Sequence, residues 1–453
     1  MALTTARIDT REPDGVAKLA ALRQKLSMDG NVVSEASRHK TLEVFGEAIP
    51  PVKIVERICR DVSQQGLAAV LDYTHKLDGY AITASTLRVS AVELAEAHAA
   101  AQPEFLETVR SIQQNILRFQ SAILHQDVRI DLEEGGYLRQ RYLPLERVGI
   151  CVPGGAAAYP STVLMTAVPA QAAGVQELAV VAPPTPFGSF NQDLLATCHE
   201  LGIREVYRVG GAQGVAALAY GVEGITRVDK IVGPGNLFVA LAKKHVYGTV
   251  DIDSIAGPSE VVIIADDTSQ AQFVAADLIA QAEHSPGSSI LLTWSEALLD
   301  EVEAELELQL SRLERGEFAR QSLGEFGALV LVRDRDEAVD LANQLATEHL
   351  HLACEDAEEL VSAIRHAGAI FVGPFSPVPI GDYAAGPSHV LPTGATARFA
   401  SGLSSNSFLR TGSVLSFDQA GFESLASDAL AMANKEGLTG HAASVAIRRE
   451  FPS

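Results

Sequence analysis

The 453-residue chain predicts an α/β fold: two doubly wound, Rossmann-like parallel-sheet domains, with a helical N-terminal segment and a helical C-terminal tail. Three observations carry that prediction. Residues up to about 140 repeat apolar side chains at helical spacing. From Val148 to Val250, short apolar runs alternate with helical stretches. From Glu260 a second alternating block begins. Short apolar strands separated by helices describe a mostly parallel sheet covered on both faces.

Taken in order, "PVKIVERICRDVSQQGLAAVLDYTHKLDG" (51–79) has helical periodicity and ends on glycine. "SAVELAEAHAAAQPEFLETVRSIQQNILRFQSAIL" reads as two more helices broken near Pro103. "YLRQRYLPLERVGICVPGG" changes to a strand-like period. "RVGICV", "ELAVVAPP", "EVYRVGG" and "KIVGPG" then read as strands, each followed by a helix. In the second block the strands are "EVVIIADD", "SILLTW", "ALVLVR", "HLHLAC" and "AIFVG". The tail from about 400 is mainly helical. The expected division is an N-terminal segment 1–44, a larger α/β domain 45–152 plus 260–399, a second α/β domain 153–259, and a tail 400–453.

Composition excludes several functional classes. The chain carries 35 basic against 57 acidic residues, a net charge of −22, which disfavours nucleic acid and anionic membranes as partners. The N-terminus lacks the apolar run of a secretory signal, and "STVLMTAVPA" is far too short to span a membrane. Cys59, Cys151, Cys198 and Cys354 form no CxxC pair, as expected of a protein in a reducing cytoplasm.

Glycine loops "VPGGAAAYPST", "VGGAQGVAAL" and "VGPGNLFVAL" each follow a strand and precede a helix. Such loops let backbone N–H groups approach an anionic ligand at a helix N-terminus. None fits GxGxxG, so a dinucleotide would bind differently from the usual fingerprint. "QAEHSPG" puts Gln281, Glu283 and His284 at the end of a greasy segment that stops on Pro286 and Gly287. Gln281 and His284, three apart, share a helix face. With Asp382 and His441 they offer nitrogen and oxygen donors suited to Zn²⁺, with Mn²⁺ or Co²⁺ as other candidates. Spacing alone leaves open a metal set or unrelated polar caps. Glu348 and His349 pair a carboxylate with an imidazole, the chemistry of water activation and proton abstraction. Adjacent strand residues face opposite ways, so a strand end is needed for both to serve one site. Ser259 precedes a buried strand without a GxSxG elbow, which argues against a serine hydrolase. His389 lies at the end of a predicted element, and His351 shares a strand face with His349.

These motifs, from "VPGGAAAYPSTVLMTAVPAQ" through "DKIVGPGN", "AGPSEV", "QAEH", "EHL" and "SPVPIGDYAAGPSHVLPT" to "EGLTGHAASV", resemble the histidinol dehydrogenase family from about residue 45 onward. The resemblance implies an NAD-dependent four-electron oxidation of L-histidinol to L-histidine, the last step of histidine biosynthesis. It implies one zinc per subunit on Gln281, His284, Asp382 and His441, with Glu348 and His349 catalytic. Ser259, His389 and Glu436 fall on substrate-holding positions, beside the metal ligands and His349. Gln213 and Asn236 fall on NAD-contacting positions in the 153–259 domain. The family's cofactor-contacting tyrosine is replaced by Cys151, and "SSNSFLR" lacks the usual acidic residues. The resemblance further implies a homodimer whose swapped tail brings Glu436 and His441 to the neighbouring site. Oxidation of another polyol, such as a sulfonated propanediol, is the alternative within the superfamily.

Overall fold

The computed structural model describes residues 4–24, 35–47, 49–155, 157–255, 257–284, 287–314 and 316–450. The predicted helix stop at Pro286 lies outside them. In chain order the strands are β1 (Ala6–Asp9), β2 (Val128–Asp131), β3 (Tyr137–Pro144), β4 (Arg147–Cys151), β5 (Glu177–Ala182), β6 (Glu205–Arg208), β7 (Lys230–Val232) and β8 (Asp251–Ile252), then β9 (Ser259–Ala265), β10 (Gly287–Thr293), β11 (Ala328–Leu331), β12 (His349–Leu352), β13 (Ala369–Val372) and β14 (Leu409–Ser416). They form a parallel five-stranded sheet ordered β6-β5-β4-β7-β8, and a parallel six-stranded sheet ordered β1-β11-β10-β9-β12-β13. A small antiparallel sheet, β14-β3-β2, is the third. Among the described residues no helix is long and apolar enough to cross a membrane.

The two predicted parallel sheets are present, with corrections at their margins. The N-terminal segment is not wholly helical: β1 pairs with β11 at the edge of the larger sheet. Four residues are too few for a period to register. The tail likewise contains β14, whose partner β3 lies far away in sequence. Within the stretch 45–152, expected in the larger domain, the helices between Pro51 and Ala122 and strand β4 pack with the five-stranded sheet, and β2 and β3 join β14. The central strand of the five-stranded sheet, β4, is paired on both sides by β5 and β7. Helix Pro51–Gln65 buries Ile54, Val55, Ile58, Cys59 and Val62 in a core shared with Val181, Tyr207 and Ile231. Burying each such aliphatic side chain contributes on the order of 2 kcal/mol, so that stripe determines which sheet the helix covers. Val109 and Ile116, from helix Pro103–Ala122, join the core on the opposite face.

A strap running from 384 to 408 ties the two sheets together. Asn115 and Gln120 donate to the carbonyls of Ala384 and Gly386 at 3.0 and 3.3 Å, and Ser388 donates to the carbonyl of Met165 at 2.7 Å. Val390, Leu403 and Phe408 then enter the core of the five-stranded side. On the other side, Gly394 N–H donates to Glu260 at 3.0 Å.

Beneath the loop after β7, a buried Lys243–Asp253 ion pair holds both sides of one residue. Asp253 accepts from the Gly233 N–H at 2.7 Å, and Lys243 donates to the Gly233 carbonyl at 3.0 Å. Gly233 has φ +104°, and a Cβ there would come within 2.3 Å of the Cys151 carbonyl oxygen. Gly233→Ala should therefore destabilise the protein by about 1–3 kcal/mol, read as a lower melting temperature; an unchanged melting point would show that the loop relaxes freely.

Candidate active site

The two parallel sheets meet at a cleft of about 690 Å³. The five-stranded sheet presents its carboxyl ends there, through Cys151 after β4, Pro183 after β5, Gly210 after β6 and Gly233 after β7. The six-stranded sheet presents its amino ends, through Ser259 at the start of β9 and Glu348 and His349 at the start of β12. Glu348 immediately precedes the first residue of β12, so the strand-end condition for both side chains to share one site is met.

The pairing of β12 with β9 sets His349 opposite Val261. One Glu348 oxygen accepts from the Ser259 hydroxyl at 2.5 Å and from the Glu260 backbone N–H at 3.0 Å. His349 Nδ1 lies 3.1 Å from the Glu260 carbonyl, an acceptor only, so Nδ1 carries the proton and donates. That leaves Nε2, buried and without a hydrogen-bond partner, 3.3 Å from Asp382 Oδ1. Phe371 packs beside the ring, its centroid 5.9 Å from that of His349. Burial disfavours the imidazolium, but the charge of Glu348 and the adjacent Asp382 outweigh it and raise the His349 pKa to about 9. Asp382 is moved the other way. Burial pushes its carboxyl up, yet the contact with His349 holds it below the ordinary aspartate value.

Gln281 sits in the last turn of helix Ala271–Ala282, which returns it to the same end of the sheet. It is 3% exposed and donates to the Ser259 hydroxyl at 2.7 Å, while its Oε1 is buried without a partner. His284, just past the helix, is exposed and lines the cleft. His389 also lines it, with Nδ1 3.0 Å from the Asp382 carbonyl; burial holds its pKa below the ordinary value. Gln281 and His284, from the end of one helix, and Asp382, from a second segment, thus lie at the same end of the larger sheet. An orphaned amide oxygen beside an imidazole and a carboxylate fits a cation of the zinc type, with this chain supplying three donors. Among the described residues no three His, Cys, Asp or Glu side chains are grouped to hold a metal. His441 and Glu436 do not reach the cleft of their own chain; both are exposed, and helix Thr439–Glu450 buries none of its residues.

On the other wall, Asn236 lines the cleft but its side chain caps helix Leu237–Val246, accepting from Phe238 and Val239 N–H. Gln213 is 1% exposed, lies behind Gly211 and donates to Asp78 at 3.2 Å. Cys151 lines the cleft, and burial pushes its thiol pKa up to about 12, so it is inert there. Helices Pro160–Ala173 and Gly211–Tyr220 begin at this wall without a side-chain cap, leaving N–H groups for an anion such as a pyrophosphate. Sequence reasoning missed the Glu260 backbone and Asp78, because neither a peptide group nor a helix-terminal aspartate stands out in a pattern. His351 is used structurally: its nitrogens lie 2.9 Å from Asp277 and 2.9 Å from the Gly373 carbonyl, at the far end of β12.

The histidinol dehydrogenase family model matches residues 48–449. Histidinol dehydrogenase from Rhodopirellula baltica is 61% identical over 446 residues, covering 98% of this chain and 97% of that protein. The chain belongs to the histidinol dehydrogenase family. Histidinol dehydrogenase from Heliobacterium mobile is 46% identical over 413 residues, 91% of this chain and 96% of that protein. The crystal structure of histidinol dehydrogenase from Elizabethkingia anophelis superposes with a TM-score of 0.89 at 33% identity, covering 99% of each chain. Family membership makes the chain an oxidoreductase, and the near-complete coverage extends to both sheets, the strap and the tail.

The raised His349 pKa yields a pH prediction for chelator-treated protein. A group whose folded pKa is raised lends stability below its unfolded value, here 6.5, and loses it as pH rises through about 9. Asp382→Asn removes one of the two carboxylates responsible. The His349 titration, followed by imidazole NMR, should then move to lower pH, and the stability lost on the alkaline side should shrink. An unmoved midpoint would show that Asp382 does not hold the proton.

Proposed function

We propose that the chain is a cytoplasmic, zinc-dependent enzyme that oxidises L-histidinol to L-histidine through bound L-histidinal, with two NAD⁺ consumed, in histidine biosynthesis. The observation that carries the reading is the joint anchoring of Glu348 and His349 by Ser259 and Glu260, at a cleft lined by His284 and Asp382, with Gln281 bonded to Ser259 behind its lining. The cited relatives are all histidinol dehydrogenases, so oxidation of a sulfonated polyol is not favoured. In this reading Gln281, His284 and Asp382 hold zinc, with His441 from a second copy of the chain. When bound, zinc would fix the substrate's imidazole and amino nitrogens and NAD⁺ would accept hydride.

The chain's own residues divide the remaining work. His349, its Nδ1 proton committed to the Glu260 carbonyl, takes the substrate hydroxyl proton on Nε2 during the first oxidation. A cation on Asp382 would cancel part of the charge that raises the His349 pKa, bringing this base toward neutrality. Glu348, oriented by Ser259 and the Glu260 N–H, takes a proton from the water that adds to the aldehyde. Ser259 is itself aligned by Gln281, which couples the Glu348 carboxylate to the proposed metal ligand. His389 and Glu436 complete the substrate-holding set, with Gln213, Asn236 and Cys151 on the dinucleotide side.

One assay tests the reading: NADH formed per L-histidinol. Two equivalents are expected, lost on chelation and restored by Zn²⁺; full activity in metal-free protein would remove the metal from the scheme. In the same assay Glu348→Gln should slow oxidation of added L-histidinal by about 10²–10⁴-fold and affect the first hydride transfer less.

Assembly follows from the exposed tail. Leu425, Met432, Leu438 and Ile447 are large apolar side chains left at the surface of the tail helices and their link. We propose a twofold homodimer in which Glu436 and His441 complete the partner's site. Gln281→Ala and His441→Ala, each inactive, should regain activity when unfolded together and refolded as mixed dimers, because one site of each pair is then intact. Mixed dimers that stay inactive would mean that each site is built from one chain.

A further inference from the structure

In doubly wound dinucleotide folds ordered 3-2-1-4-5, a carboxylate at the end of the second strand takes the 2′-hydroxyl of the adenosine ribose. The order β6-β5-β4-β7-β8 repeats that plan, with β4 first, β5 second and β6 third. Yet β5 ends in Ala182 and continues into Pro183, Pro184 and Thr185, so its end offers no carboxylate. One arrives from outside the sheet. Asp78 is the last residue of helix Leu67–Asp78, which the apolar packing of the N-terminal helices holds against the five-stranded side. It is half-buried and lines the cleft. Its Oδ2 accepts from Gln213 Nε2 at 3.2 Å. Gln213 is the third residue of helix Gly211–Tyr220, which follows β6. Asp78 therefore stands on the β5–β6 side, where the adenosine half belongs in this strand order.

Two further observations point the same way. An aspartate in the last turn of a helix opposes the negative end of the helix dipole, so its position is not explained by local helix stability. Among the described residues lining the cleft there is no lysine or arginine, and the carboxylates on the five-stranded side are Asp78 and Asp253. Lys243 lies beneath, committed to Asp253 and the Gly233 carbonyl. At its own position the Asp78 carboxylate can accept a hydroxyl proton and would repel a phosphate monoester set directly against it, while the uncapped helix starts on the same wall remain for the pyrophosphate.

We infer that Asp78, positioned by Gln213, accepts a hydrogen bond from the adenosine-ribose 2′-hydroxyl of NAD⁺ and excludes the 2′-phosphate of NADP⁺. The inference rests on the NAD-dependent reaction proposed above. Its test is direct binding, by calorimetry on the full-length zinc-loaded protein, of NAD⁺, NADP⁺ and NAD⁺ lacking the adenosine 2′-hydroxyl. The parent protein should bind the deoxy form about tenfold more weakly than NAD⁺, as expected for a bond to a charged acceptor. Asp78→Asn keeps an acceptor for Gln213 but turns an amide toward the ribose. In that variant NAD⁺ and its deoxy form should bind within about twofold of each other, and NADP⁺ should gain relative to NAD⁺. A purely structural Asp78 would give Asp78→Asn the parent's discrimination with both affinities lowered equally, which overturns the assignment. Should Asp78→Asn not fold, the parent alone decides: equal binding of NAD⁺ and its deoxy form overturns it. Parent protein with no affinity for NAD⁺ overturns the dinucleotide reading as well, so the two failures are distinguishable.

Discussion

The parallel pairing of β12 with β9 is the constraint on which the substrate end depends. Because His349 sits opposite Val261, the Glu260 peptide groups fall between the two reactive side chains. The Glu260 N–H goes to Glu348 and its carbonyl takes the His349 Nδ1 proton, so one residue's backbone orients the carboxylate and sets the tautomer of the base. A one-residue slip of register would turn His349 to the other face of the sheet and break both bonds. Helix Ala271–Ala282 leaves β9 and returns Gln281 to Ser259, so a second connection from the same strand completes the cluster. Glu348 and His349 remain buried because these partners replace the water they have lost.

The alternation of apolar runs made the strands between Val148 and Val372 legible in the sequence, because a buried parallel strand has little choice of composition. Ser259, Gln281, Glu348 and His349 stood out as polar interruptions at the ends of greasy segments, but pattern alone left them open as caps or surface residues, and their roles came from the family resemblance. What could not be read was pairing over long sequence distances. β1 is four residues at a sheet edge, and β14 depends on β3. The side on which helix Pro51–Gln65 packs depends on a stripe of its own meeting helices some 160 residues later in the chain. The same distance hid Asp78, whose partner Gln213 follows it by 135 positions. Gln213 and Asn236 stood in glycine loops that lead to the cleft, but no pattern indicates that one would lie behind Gly211 and the other cap a helix.

The use of opposite ends of the two sheets has an electrostatic logic. At the carboxyl end of a parallel strand the following helix begins, so unpaired N–H groups and the positive ends of helix dipoles gather there. The five-stranded sheet offers that end, where helices Pro160–Ala173 and Gly211–Tyr220 start uncapped. At the amino end the preceding helix finishes, and its carbonyls carry partial negative charge. The six-stranded sheet offers this end, where helix Ala271–Ala282 finishes one residue after Gln281 and helix Arg335–Leu345 finishes just before Glu348. One wall therefore suits a phosphate-bearing ligand and the other a cation. The strap from 384 to 408, hydrogen-bonded to both sides, keeps them facing each other. A cleft with only carboxyl ends would crowd positive dipoles around a metal. One with only amino ends would repel a pyrophosphate. Joining the two lets a chain of net charge −22 hold both kinds of charge without placing a lysine or arginine in the described lining of the cleft.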